Sequence, residues 1–411
     1  MPDTISVRIS SDGETLVVEH ERDKESMPWP DGLADLAALL INPVRHASGI
    51  GTAAPEGQPG TYEVPASRKS TEGKMWLMNA DLFTQAEFLS LDLGKIFGSE
   101  IKSKVRKARD EERLVRLEVV CDPNDVSMMI PWELADFGDR GGALLLALEQ
   151  GCSIVRRAPT NTLNTNPTPP VPRPGELAAQ VLNLAPQGQL VSIVRAFNGA
   201  FDNACPYVNG IAGIERELDV LFVVGHGQAA VSGENSEANP SIGGVVSEEI
   251  SDHFKDQPWP ELIVLVSCQT AESTAHSLSF AGELVKSGAP AVVGMAGDIE
   301  ADRVAPAFVK GLWNALQRGA SAEGAVQAGR VAVSTVPGQI AAWQWALPVL
   351  HTSTDNLLPA ARGWTGVAGI DELRSAVILH KAKIRGNVHI VEKENVVVSE
   401  TVIEGDFTVG S

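Results

Sequence analysis

Two reactive side chains stand out because each one follows directly on an apolar run of the sequence. His226, which is flanked by glycines, follows residues 218–224, and Cys268 follows residues 261–267. Apolar runs of this length are typical of strands that are covered on both faces of a parallel sheet. Because sites form beyond the carboxyl ends of such strands, the sequence predicts that His226 and Cys268 lie side by side.

A cysteine beside a histidine is a pair suited to nucleophilic attack on a carbonyl group. The imidazole favours the thiolate and can protonate a leaving amine. The oxyanion of the tetrahedral intermediate needs preorganised N–H donors, and the backbone N–H groups of Gly227 and Cys268 are the candidates. A lone buried cysteine is more often packing than catalysis. Here, however, His226 and Cys268 both follow strand ends in one domain, and this favours catalysis over packing.

Carboxylates follow the next predicted strand, residues 289–295. Asp298 and Glu300, with Asp302 beyond them, are candidates to line a pocket for a basic substrate side chain. Alternatively, these residues cap the helix that follows. The metal-ligand spacings C-x-x-C and H-E-x-x-H do not occur, and neither does the G-x-S-x-G motif of α/β-hydrolases. The sequence therefore predicts no metal and no cofactor.

The composition excludes several classes of function. With 33 basic and 52 acidic residues the net charge is −19, which disfavours nucleic-acid binding. No apolar run approaches the roughly 20 residues of a membrane span. The opening residues MPDTISVRIS predict no secretory signal. Four scattered cysteines do not form a disulfide framework, so we expect a reducing cytoplasm in which a free thiol is available.

A proline-rich stretch at residues 159–175 marks the clearest boundary and predicts a linker. Residues 1–158 have the pattern of an α/β region that begins with a hairpin through Asp12-Gly13. Residues 176–358 alternate strands with helices. This alternation predicts a three-layer α/β fold with a mainly parallel central sheet.

The last segment, residues 359–411, has a different pattern. Residues 370–383 predict a helix, and a β-prone tail follows. Residues 384–390 and 403–409 share the pattern Ile-x-Gly-Asn/Asp-x-x-Ile/Val, which predicts short stacked or paired strands. Such a tail either docks on a partner or completes the fold of its own domain.

Several segments together resemble the CHAT-domain family of caspase-like cysteine proteases, which belongs to peptidase clan CD. The resemblance covers residues 115–352 and rests on segments in a fixed order. These segments are Ile130-Pro131-Trp132-Glu133-Leu134, Gly225-His226-Gly227, Val266-Ser267-Cys268-Gln269-Thr270-Ala271, the segment 288–295, the helix 306–316 and the segment 345–350. Residues 1–158 resemble the catalytically silent caspase-like half of some relatives.

The resemblance implies a cysteine endopeptidase in which His226 is the general acid/base and Cys268 the nucleophile. Residues 176–358 would form its catalytic domain, a protein would be its substrate, and a regulatory protein would bind the N-terminal half or the tail. The caspase-type Gln-Ala-Cys-x-Gly motif is absent, and Val266 stands where an acidic residue precedes the cysteine in relatives. The residue preference of caspases therefore does not carry over. The alternative function is a non-catalytic caspase-like adaptor.

Overall fold

The fold is described from a computed structural model of the 411-residue chain. The chain divides into two compact units, residues 1–364 and residues 365–411. The structure describes residues 3–11, 15–20, 23–28, 92–111, 115–121, 130–138, 145–149, 152–157, 177–185, 205–228, 231–233, 236–271, 279–336, 344–353, 376–380, 383–385, 388–390, 395–399, 402–404 and 407–409. The predicted linker at residues 159–175 lies outside these ranges, and the predicted domain boundaries stay predictions.

Within the described ranges the first unit has sixteen strands. Those of its N-terminal part are β1 (Asp3–Ser11), β2 (Thr15–His20), β3 (Asp23–Pro28), β4 (Val115–Cys121) and β5 (Cys152–Arg157). The next ones are β6 (Ala179–Asn183), β7 (Tyr207–Asn209), β8 (Val220–Val224), β9 (Gly227–Gln228), β10 (Val231–Gly233), β11 (Ser236–Ala238), β12 (Ser241–Ile242) and β13 (Val245–Val246). The last three are β14 (Leu262–Val266), β15 (Ala291–Met295) and β16 (Pro348–Thr352).

Eleven of these strands form one sheet in the order β3-β2-β1-β4-β5-β16-β15-β14-β8-β6-β7. Seven of the ten neighbouring pairs run parallel, and the pairs β1–β2, β2–β3 and β15–β16 run antiparallel. The predicted mainly parallel sheet is confirmed, and so is the hairpin of β1 and β2. Strands from both sides of the proline-rich stretch meet where β5 pairs with β16.

Helices cover both faces of this sheet. The described helices are α1 (Gly98–Asp110), α2 (Ser247–His253), α3 (Phe280–Ser287), α4 (Val304–Gln317) and α5 (Ala322–Ser334). Ser279 and Ser321 begin α3 and α5 by accepting hydrogen bonds from Gly282 N (3.0 Å) and Gly324 N (3.2 Å). No helix in the described part of the chain is long and apolar enough to cross a bilayer.

Alternation along β8 explains the three layers. Leu221 and Val223 pack in one apolar cluster with α2 and α3. Phe222 between them contacts Trp313 of α4 on the other face, with ring centroids 5.9 Å apart. Successive residues of a strand point to opposite faces of the sheet. A strand that is apolar at every position is therefore covered on both faces. All five residues of β8 and all five of β14 are buried, so the predicted three-layer α/β fold is confirmed.

A buried ionic cluster lies at the junction of β5 and β16. Glu133, in the 3-10 turn Trp132–Leu134, accepts two hydrogen bonds from Arg156 of β5, at 3.2 and 2.6 Å. Arg330 of α5 donates to the carbonyl oxygen of Pro348 in β16 at 3.1 and 2.7 Å and lies 3.9 Å from Glu133. Burial lowers the pKa of Arg330 to about 10, although the charge of Glu133 opposes this shift. The Pro-Trp-Glu-Leu element thus supplies the buried counter-charge for two arginines.

His351 of β16 borders this cluster and is buried. Burial lowers its pKa to about 3, and the charge of Arg156 adds to the shift. The folded protein therefore keeps this imidazole neutral in a pH range where the unfolded chain, with a histidine pKa of about 6.5, takes up a proton. It follows that the free energy of unfolding falls as the pH drops from about 6.5 towards about 3.

A His351→Gln variant tests this linkage. Between pH 7 and pH 5 we expect the wild type to lose about 2 kcal/mol more of its unfolding free energy than the variant does, because only the wild type carries the depressed histidine. Urea unfolding followed by circular dichroism at both pH values measures the difference. Equal losses in the two proteins would show that His351 is not the titrating group.

Six short strands are described in the second unit. They are β17 (Ala376–His380), β18 (Lys383–Arg385), β19 (Val388–Ile390), β20 (Asn395–Ser399), β21 (Val402–Glu404) and β22 (Phe407–Val409). They pair in parallel as β17–β20, β18–β21 and β19–β22. The predicted β-rich tail is confirmed, but the helix predicted over residues 370–383 is wrong at β17. The run Ala376-Val377-Ile378-Leu379 pairs there with a second Val-rich segment, and this pairing overrides the helical pattern.

Candidate active site

The pairing of β8 with β14 brings the two reactive residues to the same level. The strands are parallel neighbours in continuous register, from Val220 opposite Leu262 to Val224 opposite Val266. His226 and Cys268 each follow two residues after the last pair. Since neighbouring strands lie about 4.8 Å apart, the two residues leave the same rim of the sheet next to each other. The backbone register thus places the two residues that the sequence singled out at the same rim of the sheet.

Gly227 lies directly against the backbone of the cysteine. A Cβ atom at this position would lie 1.9 Å from the carbonyl oxygen of Cys268 and 2.7 Å from Oγ of Ser267. Only glycine permits this approach, because a methyl group would have to displace backbone. The segments that carry His226 and Cys268 are therefore in direct contact.

A Gly227→Ala variant tests how tightly this contact sets the site. We expect any activity that depends on His226 and Cys268 to fall roughly 100-fold, since a displacement of about 1 Å can have that effect. Peptide cleavage or thiol labelling measures it. Gly244→Ala is the control, because a Cβ there meets nothing within 4 Å although its φ of +85° adds strain. Equal activity in the two variants would show that the close approach does not matter.

His226 is held by its backbone while its side chain stays exposed. Its carbonyl oxygen accepts a hydrogen bond from Gly243 N at 2.9 Å. The next residues form β9, which pairs antiparallel with β12 in the small sheet β13-β12-β9. The imidazole is consequently open to an approaching substrate on a fixed piece of chain.

Cys268 is partly buried, and its thiol lies 3.9 Å from the carbonyl oxygen of Ile299, a weak contact. Burial raises the pKa of the thiol, and the negative charge of Asp298 raises it further. In this state the sulfur is therefore protonated at neutral pH. A nucleophilic role requires a base to take the proton when substrate binds.

The turn after Cys268 is rigid. Gln269 has a φ of +60°, a left-handed conformation that is uncommon for a residue with a side chain. Its N–H donates to the carbonyl oxygen of Gly297 at 3.1 Å, so this group is already engaged. Thr270 Oγ1 donates to the carbonyl oxygen of Ser267 at 3.1 Å and accepts from Met295 N at 2.9 Å. These contacts fix the cysteine against β15.

Residues 297–300 form a loop beside Cys268, and two glutamines hold it. Gln269 Nε2 donates to the Asp298 carboxylate at 2.8 Å. Gln344 Nε2 donates to the Asp298 carbonyl oxygen at 3.2 Å, and its Oε1 accepts from Glu300 N at 3.1 Å. The predicted substrate-binding residues thus border the cysteine.

The two carboxylates differ in their surroundings. Asp298 accepts from the buried Gln269 and lies close enough to Cys268 to raise its pKa. Glu300 pairs with Arg303, whose guanidinium donates to it at 2.7 and 2.9 Å. Helix α4 begins at Val304 with Arg303 as N-cap and no side-chain cap, so the capping alternative does not describe these residues.

Sequence reasoning missed Gln269 and Gln344 as supports of the loop. Gln344 lies 44 residues along the chain from Glu300, and no spacing pattern links them. The left-handed conformation of Gln269 also has no signal in its residue type, since glycine and asparagine are the usual residues there. Only the tertiary structure shows that both amides meet one loop.

The other described cysteines occupy different settings. Cys152 and Cys205 are both buried. Burial raises the pKa of the Cys205 thiol to about 12. The Cys205 thiol therefore stays protonated at neutral pH, and burial shields both side chains from solvent. Within the described ranges no cluster of three or more His, Cys, Asp or Glu side chains is arranged to hold a metal ion.

A family model agrees with the resemblance seen in the sequence. The CHAT domain matches residues 108–353, which is more than half of the chain. No curated protein matches. Among solved structures, the crystal structure of the Arg specific cysteine proteinase gingipain R is similar at 11% identity. The match covers 80% of this chain and 75% of that chain, with a TM-score of 0.37.

Proposed function

The chain belongs to the CHAT-domain family of caspase-like cysteine proteases, and from this membership we propose that it is a cysteine endopeptidase that hydrolyses peptide bonds in a protein substrate. The observation that carries the proposal is the register of β8 with β14, which leaves His226 level with Cys268. A peptide carbonyl entering at this rim would meet both groups at once.

In the proposed reaction the sulfur of Cys268 attacks the carbonyl carbon of the scissile peptide bond. His226 takes the thiol proton and delivers it to the leaving amine, which departs as the C–N bond breaks. Water then attacks the thioester, gives a proton to His226, and releases the carboxylic acid while the thiol is restored. The exposed position of His226 supports this role, since the imidazole must exchange protons with bound substrate and water.

The tetrahedral intermediate carries a negative oxygen, for which we assign the backbone N–H groups of Gly227 and Cys268 as donors. The close approach of Gly227 to the carbonyl oxygen of Cys268 supports a shared site for these two groups. The N–H of Gln269 is occupied by the carbonyl oxygen of Gly297 and does not serve. Asp298 is the better candidate for binding a basic substrate side chain, because Arg303 already neutralises Glu300.

The raised pKa of Cys268 supports a resting state that needs activation. We propose a regulatory protein that binds the N-terminal half or the C-terminal tail and so makes the thiol more accessible. Thiols without a disulfide at Cys205 and Cys268 are consistent with a reducing cytoplasm as the place of action.

Covalent labelling tests the proposal against the alternative of a non-catalytic adaptor, which the partly buried, protonated thiol would also suit. The full chain is treated with a peptidyl acyloxymethyl ketone, and the modified residue is identified by mass spectrometry. We expect modification of Cys268 that slows at least tenfold in a His226→Ala variant. Cys152 and Cys205 act as internal controls because both are buried. Labelling of Cys268 at the rate of a free peptide thiol, unaffected by His226→Ala, would support the adaptor.

A further inference from the structure

The C-terminal unit has a single repeating register. Ala376 pairs with Asn395, Lys383 with Val402 and Val388 with Phe407, a separation of 19 residues in every case. All three pairings are parallel. We call residues 376–390 the first coil and residues 395–409 the second coil. Three parallel strand pairs with one constant offset are the arrangement of a β-solenoid, in which each coil stacks on the one before it.

The sequence repeats with the same period. Ile384 and Ile403 are identical residues at paired positions. In the sequence, Gly386 and Gly405 also lie 19 residues apart. Asn387 corresponds to Asp406 in the same way. The two coils are therefore two copies of one repeat. Each coil can act as the stacking partner of the other.

Each coil has a second edge. The three sheets of this unit contain two strands each, so every strand pairs on one side only within the described residues. The N–H and C=O groups along the other side of a parallel strand are a template for a further strand. The outer edge of the second coil resembles the edge of the first coil on which the second coil is stacked. A further coil can thus add in the same 19-residue register.

The charges differ between the coils and give the stacking a direction. Arg385 of the first coil pairs with Glu404 of the second. Lys381 and Glu400 are separated by the same 19 residues. Opposite charges at paired strand positions stabilise a sheet and like charges destabilise it. Stacking a first coil on the second coil of another chain continues the alternation of basic and acidic layers, whereas in-register stacking of two second coils does not.

We propose that the C-terminal unit binds the C-terminal unit of a second copy of this chain, with the second coil of one copy stacked in parallel on the first coil of the next. Such a contact uses two different surfaces and is heterologous, so it repeats from copy to copy instead of closing at a dimer. The proposal does not depend on proteolytic activity. It identifies the tail as a self-association element that gathers several copies of the N-terminal unit.

Sedimentation velocity of the full chain over a concentration series, at low ionic strength, tests the proposal. We expect the mean mass to rise with concentration beyond that of a dimer. The variants Glu404→Arg and Arg385→Glu each place like charges at the contact, and we expect the association of each to weaken at least about fivefold. A wild type that stays monomeric, or that stops at a dimer, would overturn the proposal.

Mixing the two variants isolates contacts between copies. Within each variant chain the coils still carry like charges, but Arg at 404 in one variant meets Glu at 385 in the other. An equimolar mixture should therefore recover larger species, while each variant alone does not. The double variant Arg385→Glu/Glu404→Arg, with charges opposite everywhere, should associate like the wild type. Failure of the mixture or of the double variant to recover would contradict head-to-tail stacking.

Discussion

Replacing Cys268 by alanine is expected to abolish peptide cleavage, with a loss of about 10⁴-fold or more, because the proposed reaction passes through a thioester on this sulfur. The side chain is only partly buried, and its thiol makes a weak contact with the carbonyl oxygen of Ile299. Folding should consequently be unaffected, with a change in unfolding free energy below about 1 kcal/mol. Mass spectrometry of products from a proteome-derived peptide library, before and after the substitution, measures the effect.

Two further variants make the result specific. His226→Ala should lose activity to a similar extent, since residues that act as a unit are not additive. Cys205→Ala is the matched control, because this cysteine is also free but precedes β7 at the far edge of the sheet. It should cleave like the wild type. Turnover by the Cys268→Ala protein at the wild-type rate would rule out this nucleophile.

Replacing Glu133 by glutamine should destabilise the protein by about 3–5 kcal/mol, because two buried arginines then lose their counter-charge. The shape of the side chain is nearly kept, so the effect reports the charge. Glu133 has no exposed surface, and the Arg156 side chain is 1% exposed. With typical domain stabilities of about 5–15 kcal/mol, this loss is a large fraction of the total.

Guanidinium unfolding at pH 7 gives the comparison. The control is Asp92→Asn, which removes one partner of the exposed pair formed with Lys95 at 2.7 Å. Exposed pairs contribute below about 1 kcal/mol, so this variant should be close to the wild type. If both variants lost the same small amount, the cluster between β5 and β16 would have no special role in stability.

Sequence patterns predicted the fold and the centre of the site from different signals. The runs at β8 and β14 are apolar at every position, and this pattern alone gives buried parallel strands. His226 and Cys268 each come two residues after their strand, so pairing the two strands in register puts both residues at the same level. The catalytic roles of these residues, and the donors assigned to Gly227 and Cys268, remain predictions.

Sequence patterns do not predict features that depend on contacts between distant parts of the chain. The support of Asp298 by Gln269 and Gln344 joins three separate segments. The helix predicted over residues 370–383 is wrong at β17 because the apolar run of four residues, 376–379, is too short for its periodicity to separate helix from strand. The outcome there depended on a partner strand 19 residues later.

The position of β16 has a consequence for synthesis of the chain. β5 ends at Arg157, yet its neighbour on one side is a strand that begins at Pro348. During translation β5 therefore cannot pair with β16 until nearly all of the first unit has left the ribosome. Until then an open strand edge invites intermolecular pairing. Nascent chains that are stalled before residue 348 should consequently depend on chaperones to stay unaggregated.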